Sequence, residues 1–107
     1  MKTLKFSDEL AELMLQGKKG ATWRINDDNN LSKGDVLSCL RYSNKKEFAQ
    51  AEITSVKETT FGELTNDDWE GHERFASEKD MYETYSKYYN KEVTNLTPLK
   101  IIKLKLT

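Results

Sequence analysis

The segment GKKGATWR, residues 17–24, concentrates side chains that could perform chemistry. It places two amines, a flexible glycine, a hydroxyl and a guanidinium at the junction between a predicted helix and a predicted strand. Side chains alternate along a strand, so Thr22 and Arg24 are expected on one face. Gly20 allows the backbone to bend and bring Lys19 round towards Thr22. A hydroxyl with an amine beside it as base is an arrangement for nucleophilic chemistry.

A purely structural interpretation of the same segment stands beside the chemical one. In that interpretation Lys18 and Lys19 interact with the C-terminal dipole of the first helix. Thr22 is then an ordinary strand residue and Arg24 pairs with a surface acid. On pattern alone, the structural interpretation is the commoner outcome.

Cysteine and histidine each occur once, as Cys39 and His72. A lone cysteine forms neither an internal disulfide nor a cysteine-based metal cluster. One histidine does not supply the usual catalytic zinc ligands either. We therefore expect no metal and no cofactor, and we predict that His72 is solvated or lies at the rim of a pocket.

Length and charge restrict the class of protein. The 107 residues correspond to one domain spanning residues 1–107. The 17 Lys and Arg against 18 Asp and Glu give a net charge of −1. No global basic field is available to hold phosphate backbones by counterion release, which disfavours general coating of nucleic acid.

The distribution of apolar residues predicts neither a membrane span nor a signal peptide. No stretch approaches the roughly 18 apolar residues of a membrane span. The N-terminal MKTLKFSDEL turns acidic before an apolar signal-peptide run develops. We therefore expect a cytoplasmic protein with no membrane partner.

Periodicity predicts the elements that must position the reactive segment. Helical spacing runs from about Ser7, the predicted N-cap, to a stop at Gly17. Alternation then predicts strands over residues 21–25 and 36–42, separated by a turn-rich loop over residues 27–35 with left-handed backbone at Gly34.

Further elements follow in the second half of the chain. A turn over residues 44–46 leads to a strand of about ten residues, whose alternation breaks after Phe48 and predicts a bulge there. Thr65 with Asp68, and Ser77 with Asp80, are N-terminal capping signals for two helices. The second of these helices carries an apolar aromatic stripe through about residue 89, and a last strand covers residues 99–106.

Strands of antiparallel type with two or three short helices indicate an α+β fold. So small a sheet avoids exposed edges best by curling into a small barrel.

An ordered series of segments carries a resemblance to a known family. GKKGATWR resembles the Gly-x-Lys-x-x-Thr-x-Arg signature of the ASCH domain family, whose members are small PUA-like β-barrels. The same order continues in the segments LSKGDVLSC, AEITSVKETTFGELT, HERFASEKDMYETYSKYY and LKIIKLKL. The resemblance covers most of residues 17–106 and implies a single ASCH domain.

Short members of this kind resemble the N4-acetylcytidine amidohydrolases, which hydrolyse the acetamide of that modified nucleoside to cytidine and acetate. In those enzymes the threonine of the motif is the nucleophile, the lysine is the proton acceptor and a later glutamate is the proton donor. The resemblance therefore implies Thr22 as nucleophile, Lys19 as base and Glu73 as acid, with Arg24 and Gly20 binding the substrate.

Two glutamates compete for the acid role. Counting back from the aromatic helix favours Glu73, whereas the Glu-Gly spelling favours Glu70. We assign Glu73 and keep Glu70 as a substrate-binding residue and as the alternative acid. An apolar setting supplied by Trp69 and Phe75 would keep the acid protonated.

Physical chemistry adds two conditions to this scheme. Lys19 acts as a base only if burial, or a neighbouring cation such as Arg24, favours the neutral amine. The acyl oxygen needs donors, and the backbone N–H groups of Gly20 and Ala21 are the natural candidates.

The alternative function is an RNA-binding or regulatory module of the same PUA-like fold that holds a nucleotide without cleaving it. The near-neutral charge weighs against it, because a nucleoside-sized ligand needs no phosphate-tracking surface. The expected partner is thus the modified nucleoside, with RNA as the alternative, and we expect a monomer or a weak dimer.

Overall fold

The computed structural model describes residues 1–25 and 30–107. Within that part of the chain a five-stranded sheet is accompanied by three helices and a short 3-10 turn. The strands are β1 (Lys2–Phe6), β2 (Ala21–Arg24), β3 (Val36–Arg41), β4 (Glu47–Thr60) and β5 (Pro98–Leu106). The helices are α1 (Asp8–Leu15), α2 (Asn66–Trp69) and α3 (Glu78–Tyr89), and the 3-10 turn is Phe61–Glu63.

The sheet is mixed and curled into a half-barrel, with strand order β1-β3-β4-β5-β2. The β1–β3 pair is parallel, and the other three pairs are antiparallel. The α+β class and the small barrel-like fold predicted from the sequence are confirmed. Among the described residues β1 and β2 are the two edge strands of the sheet. The gap between them is the open side of the half-barrel.

The sequence analysis missed β1. Only Leu4 and Phe6 are buried among its five residues, so its alternation is too short to be distinguished from an irregular segment. Its pairing with β3 is parallel and needs the whole of α1 and β2 as the connection. The residues next to β1 in the sequence carry no pattern that predicts its pairing with β3.

The predicted helix caps are confirmed. The Ser7 and Ser77 side chains accept from backbone N–H groups three residues further on. At α2, Thr65 and Asp68 form the reciprocal capping box. Gly17 follows α1 with a φ of +77°, a left-handed position that favours glycine.

The β3–β4 hairpin contains the predicted bulge. Cys39 is opposite Ala49 and Leu40 is opposite Glu47, which leaves Phe48 as the extra residue. Its ring packs edge-on against Phe6 with centroids 6.1 Å apart. The strand itself is longer than predicted, at 14 residues, because its far half pairs with β5 alone.

Two smaller expectations concern loops. Gly34 has a φ of +91°, as predicted, but part of the loop over residues 27–35 lies outside the described residues. Pro98 is the first residue of β5, so the last strand begins one residue before the predicted start at residue 99.

Two apolar clusters hold the layers together. One lies between α1 and the sheet and includes Phe6, Met14 and Ile102. The other is aromatic, lies between α3 and the sheet, and includes Trp23, Phe61 and Tyr85. In the described ranges no helix is long and apolar enough to cross a membrane.

Candidate active site

A cavity of about 690 Å³ opens at the gap between β1 and β2, beside the C-terminal half of α3. Its polar wall includes side chains from β2, from the loop that precedes β2 and from the α2–α3 loop, namely Lys19, Thr22, Arg24, His72 and Glu73. Its aromatic wall consists of Phe6, Trp23, Tyr42, Tyr85, Tyr88 and Tyr89. The half-barrel therefore brings the reactive segment to a concave, largely aromatic site.

Lys19 and Glu73 form an ion pair at the base of this cavity. Lys19 Nζ donates to Glu73 Oε1 at 2.6 Å and to the Ala21 carbonyl oxygen at 2.7 Å. The Lys19 side chain is 3% exposed and the Glu73 side chain 27% exposed, so the carboxylate is the member of the pair that reaches solvent. These two hydrogen bonds hold the Lys19 ammonium against Glu73 and the main chain, whereas Gly20 was expected to bring it round towards Thr22.

Gly71 joins the two chain segments that carry the pair. Its carbonyl oxygen accepts from the N–H groups of Gly20 at 2.9 Å and Ala21 at 3.2 Å. Its φ is +79°, and a Cβ there would lie 3.3 Å from the Gly20 nitrogen. Glycine is required here both by the backbone conformation and by the close approach of the two loops.

This contact corrects the predicted donors to an acyl oxygen. The N–H groups of Gly20 and Ala21 already donate to Gly71, so they do not point into the cavity as free donors. Gly20 does not line the cavity, and the expected contact between Gly20 and substrate has no support in the geometry.

The charge states of the pair follow from burial and proximity. Burial lowers the pKa of Lys19, and Arg24 lowers it further, while Glu73 opposes both. Burial alone would raise the pKa of Glu73, but Lys19 more than offsets this and holds it below its usual value. The expectation of a resting Glu73 kept protonated by an apolar setting is therefore wrong: its carboxyl is ionised beside the Lys19 ammonium.

Thr22 and Arg24 lie on one face of β2, as the strand period predicted. Arg24 Nε donates to Thr22 Oγ1 at 3.1 Å, and Thr22 is buried. The same guanidinium donates through Nη2 to the Lys5 carbonyl oxygen at 3.2 Å. Its central carbon, Cζ, lies 4.9 Å from the centroid of the Phe6 ring. Arg24 therefore orients the hydroxyl and connects the two edge strands. The surface acid of the structural interpretation is not among these contacts.

His72 is buried, so the prediction of a solvated or rim residue is wrong. Its ring stacks on Trp23 with centroids 3.9 Å apart and an interplanar angle of 15°. Burial, and then the Lys19 charge, lowers its pKa to about 4. No sequence signal marked His72, because the aromatic stacking depends on Trp23, a residue 49 positions earlier in the chain.

The two candidate glutamates occupy different environments. Glu73 lines the cavity, whereas Glu70 is exposed at the C-terminal end of α2 and does not line it. A substrate contact by Glu70 has no support in this arrangement. Trp69 and Phe75 both pack into the aromatic cluster, with ring centroids 6.3 Å apart.

The α3 tyrosines divide between core and cavity mouth. Tyr85 is buried beneath Trp23, whereas Tyr88 is 66% exposed and borders the cavity. Lys5 and Lys87 also border it. In residues 1–25 and 30–107 no three His, Cys, Asp or Glu side chains are grouped so that they could hold a metal ion.

Comparisons with known proteins agree with this fold. A structure of an ASCH domain from Lactobacillus crispatus matches with a TM-score of 0.70 at 17% identity, over 98% of this chain and 79% of that one. An Enterococcus faecalis protein matches with a TM-score of 0.75 at 14% identity, over 99% and 79%. The ASCH protein from Zymomonas mobilis matches with a TM-score of 0.64 at 19% identity, over 96% and 65%.

At these identities the structural matches establish the fold alone. No curated protein matches the sequence. The model of the ASCH domain, however, matches residues 1–103, almost the whole chain. The chain therefore belongs to the ASCH domain family.

Proposed function

We propose that this ASCH domain is an amidohydrolase that cleaves the N4-acetyl amide of N4-acetylcytidine to cytidine and acetate. The observation that carries the proposal is the Lys19–Glu73 pair, joined at 2.6 Å, in the same cavity as the Thr22 hydroxyl. The proposed base, nucleophile and acid of an acyl transfer thus line one concave site.

The cavity suits a nucleoside. Its volume of about 690 Å³ lies within the range of small-molecule pockets. Its aromatic wall offers faces for a pyrimidine ring, and Lys19, Thr22, Arg24 and Glu73 supply polar groups in the same cavity. An acetamide carried by such a ring can therefore reach Thr22 while the ring lies against tyrosines.

A single proton transfer prepares the pair for catalysis. Moving the proton from Lys19 Nζ to Glu73 Oε1 along their hydrogen bond yields a neutral amine and a neutral carboxylic acid. These are the states that a base and an acid need. Burial favours the neutral forms of both groups, and a bound substrate that expels water strengthens that preference.

The reaction then proceeds in two stages. Thr22 Oγ attacks the acetyl carbon and gives its proton to Lys19, and Glu73 protonates N4 as the C–N bond breaks. This releases cytidine and leaves acetyl-Thr22. Water then attacks the ester, with Glu73 as base, acetate leaves, and Lys19 returns a proton to Thr22.

Arg24 is the cation nearest the reacting hydroxyl. It donates to Thr22 Oγ1 in the resting site, and it supplies positive charge where the tetrahedral oxyanion forms.

Chromatographic detection of cytidine and acetate after incubation with N4-acetylcytidine tests the proposal. Thr22→Val keeps the shape of the side chain without its hydroxyl and should lower kcat at least about a hundredfold, whereas Thr22→Ser should retain measurable turnover. Activity of Thr22→Val close to that of the unmodified protein would exclude the covalent route. Failure of the unmodified protein to release cytidine would refute the proposal.

The mouth of the cavity favours a second candidate, the recognition of a nucleotide within RNA. Tyr42 and Tyr88 are exposed there, and Lys5 and Lys87 lie beside them, as stacking and phosphate-contacting groups would. Binding of single-stranded RNA that weakens steeply with salt, without release of cytidine from the nucleoside, would favour this candidate.

A further inference from the structure

His72 is the chain's one histidine, and the reaction steps above do not use it. Its side chain is 1% exposed, inside the same cavity wall as Glu73. A polar ring buried to this depth needs partners for both nitrogens. Those partners determine which nitrogen carries the proton.

The first partner is a main-chain carbonyl. His72 Nδ1 lies 2.8 Å from the carbonyl oxygen of Glu73, which only accepts, so Nδ1 bears the hydrogen. Burial disfavours an imidazolium most, and the cations Lys19 and Arg74 lower the pKa of His72 further, while the carboxylate and the carbonyl of Glu73 oppose them. The ring is therefore neutral near pH 7, and Nε2 presents a lone pair.

Two oxygens lie close to Nε2: the Tyr85 hydroxyl is hydrogen-bonded to it, whereas Glu73 Oε1 is near it without a hydrogen bond in the resting site. Tyr85 Oη lies 3.2 Å from His72 Nε2, and Glu73 Oε1 lies 3.1 Å from it. An ionised Glu73 places its own lone pairs against Nε2, which is unfavourable. A protonated Glu73 donates to Nε2 instead, while the Tyr85 hydroxyl can rotate towards the cavity that it lines.

We propose that His72 is a positioning residue that accepts a hydrogen bond from the protonated carboxyl of Glu73 through Nε2. The role of His72 in the reaction rests on the proposed function, whereas the hydrogen bond between the Glu73 carboxyl and His72 Nε2 does not depend on it. When the Lys19 proton passes to Glu73 Oε1, the new O–H group turns from Lys19 to His72. The Lys19 lone pair is then free to take the Thr22 proton.

The proton balance of this step is complete. One proton leaves nitrogen and joins oxygen, and its hydrogen-bond acceptor changes from Lys19 Nζ to His72 Nε2. Without His72 the O–H group would keep donating to Lys19 and would occupy the lone pair that the base requires. His72 thus separates the acid from the base.

Nitrogen NMR of protein labelled in histidine tests the contact without reference to activity. A single histidine gives one pair of ring signals that need no assignment. Between about pH 6 and 8 we expect a protonated Nδ1 and an unprotonated Nε2. An imidazolium, or a ring protonated at Nε2, would overturn the proposal.

Two amide variants test the role of His72. The His72→Gln amide reaches the position of Nε2, whereas the His72→Asn amide reaches only that of Nδ1, and both lose the stacking on Trp23. We expect kcat of the Gln variant to exceed that of the Asn variant about tenfold, with similar KM and thermal stability. Equal kcat values would overturn the role.

A third readout separates this inference from the proposed function. The pKa of the Glu73 carboxyl, followed by carbon NMR, should be lower in His72→Asn than in His72→Gln, because only Gln offers an acceptor to the protonated acid. An equal or reversed order overturns the inference. If cytidine is never released but the order holds, the proposed function fails and the His72–Glu73 contact stands.

Discussion

Replacing Glu73 by glutamine should destabilise the fold in a way that depends on pH. The variant leaves the Lys19 ammonium, with a side chain only 3% exposed, without its charge partner. Removing one member of a buried pair costs about 3–5 kcal/mol. Glu73 is 27% exposed, so water can reach the site and the lower end applies, about 3 kcal/mol.

The loss of folding stability in Glu73→Gln is limited, because Lys19 can lose its proton and become neutral. Neutralising a lysine of ordinary pKa at pH 7 takes about 5 kcal/mol, and the cost to the fold does not exceed that amount. For a domain of this size a loss of about 3 kcal/mol lowers Tm by roughly 10–20 °C. Thermal or urea unfolding measures the loss, and Glu70→Gln is the matched control because Glu70 is exposed outside the cavity.

The pH dependence gives the decisive sign. Glu73→Gln removes the contributions that raise the pKa of Lys19 and leaves burial and Arg24, which lower it. Above that lowered pKa the unfolded chain binds more protons than the folded one, so stability rises with pH until about pH 10, the ordinary lysine value. The deficit relative to the unmodified protein should therefore shrink as pH rises. A constant deficit, or a Tm equal to that of Glu70→Gln, would refute the buried-pair account.

Three further substitutions, one of them with a matched control, test residues that support the site. Gly71→Ala and Gly17→Ala both place alanine at positive φ, at a cost of about 1–2 kcal/mol in stability. Of these two glycines only Gly71 has a close neighbour, the Gly20 nitrogen, so kcat should fall in Gly71→Ala and not in Gly17→Ala. Arg24→Lys removes the planar fork that reaches both Thr22 and Lys5, and we expect about a tenfold loss of kcat with little change in Tm; unchanged kcat would contradict the orienting role. Asp68→Asn should cost about 1–2 kcal/mol at pH 7. Burial raises the pKa of Asp68, but its hydrogen bonds with Thr65 and Lys57 more than offset this and hold the pKa below its usual value. Unfolding curves should show a difference that begins to shrink below about pH 4 and is lost only below the lowered pKa of the folded state.

Features governed by neighbours in sequence could be predicted. The caps at Ser7, Thr65 and Ser77 follow from residues three positions apart, which contact one another in any helix start. The bulge at Phe48 was visible as a break in alternation because side chains in a strand must alternate. Such signals need no knowledge of the rest of the fold.

Features governed by distant contacts could not be predicted from these patterns. The Lys19–Glu73 pair joins residues 54 positions apart, and the carbonyl of Gly71 sets its geometry. That carbonyl also accepts the hydrogen bond of the Gly20 N–H, which was predicted to donate to the acyl oxygen of the substrate. The ionised state of Glu73 depends on the depth at which Lys19 is buried, which only the packed structure supplies.

The bridge from Arg24 to β1 links the orientation of the Thr22 hydroxyl to local unfolding. β1 is an edge strand of the described sheet and pairs with β3 alone, and such elements open at low free energy. When it opens, Arg24 loses the Lys5 carbonyl and the Phe6 ring, and the guanidinium that orients Thr22 becomes free to turn. The fraction of molecules with an ordered hydroxyl is then the fraction in which β1 is docked. Amide hydrogen exchange in the first strand should thus report the population in which Arg24 is held between Thr22 and Lys5.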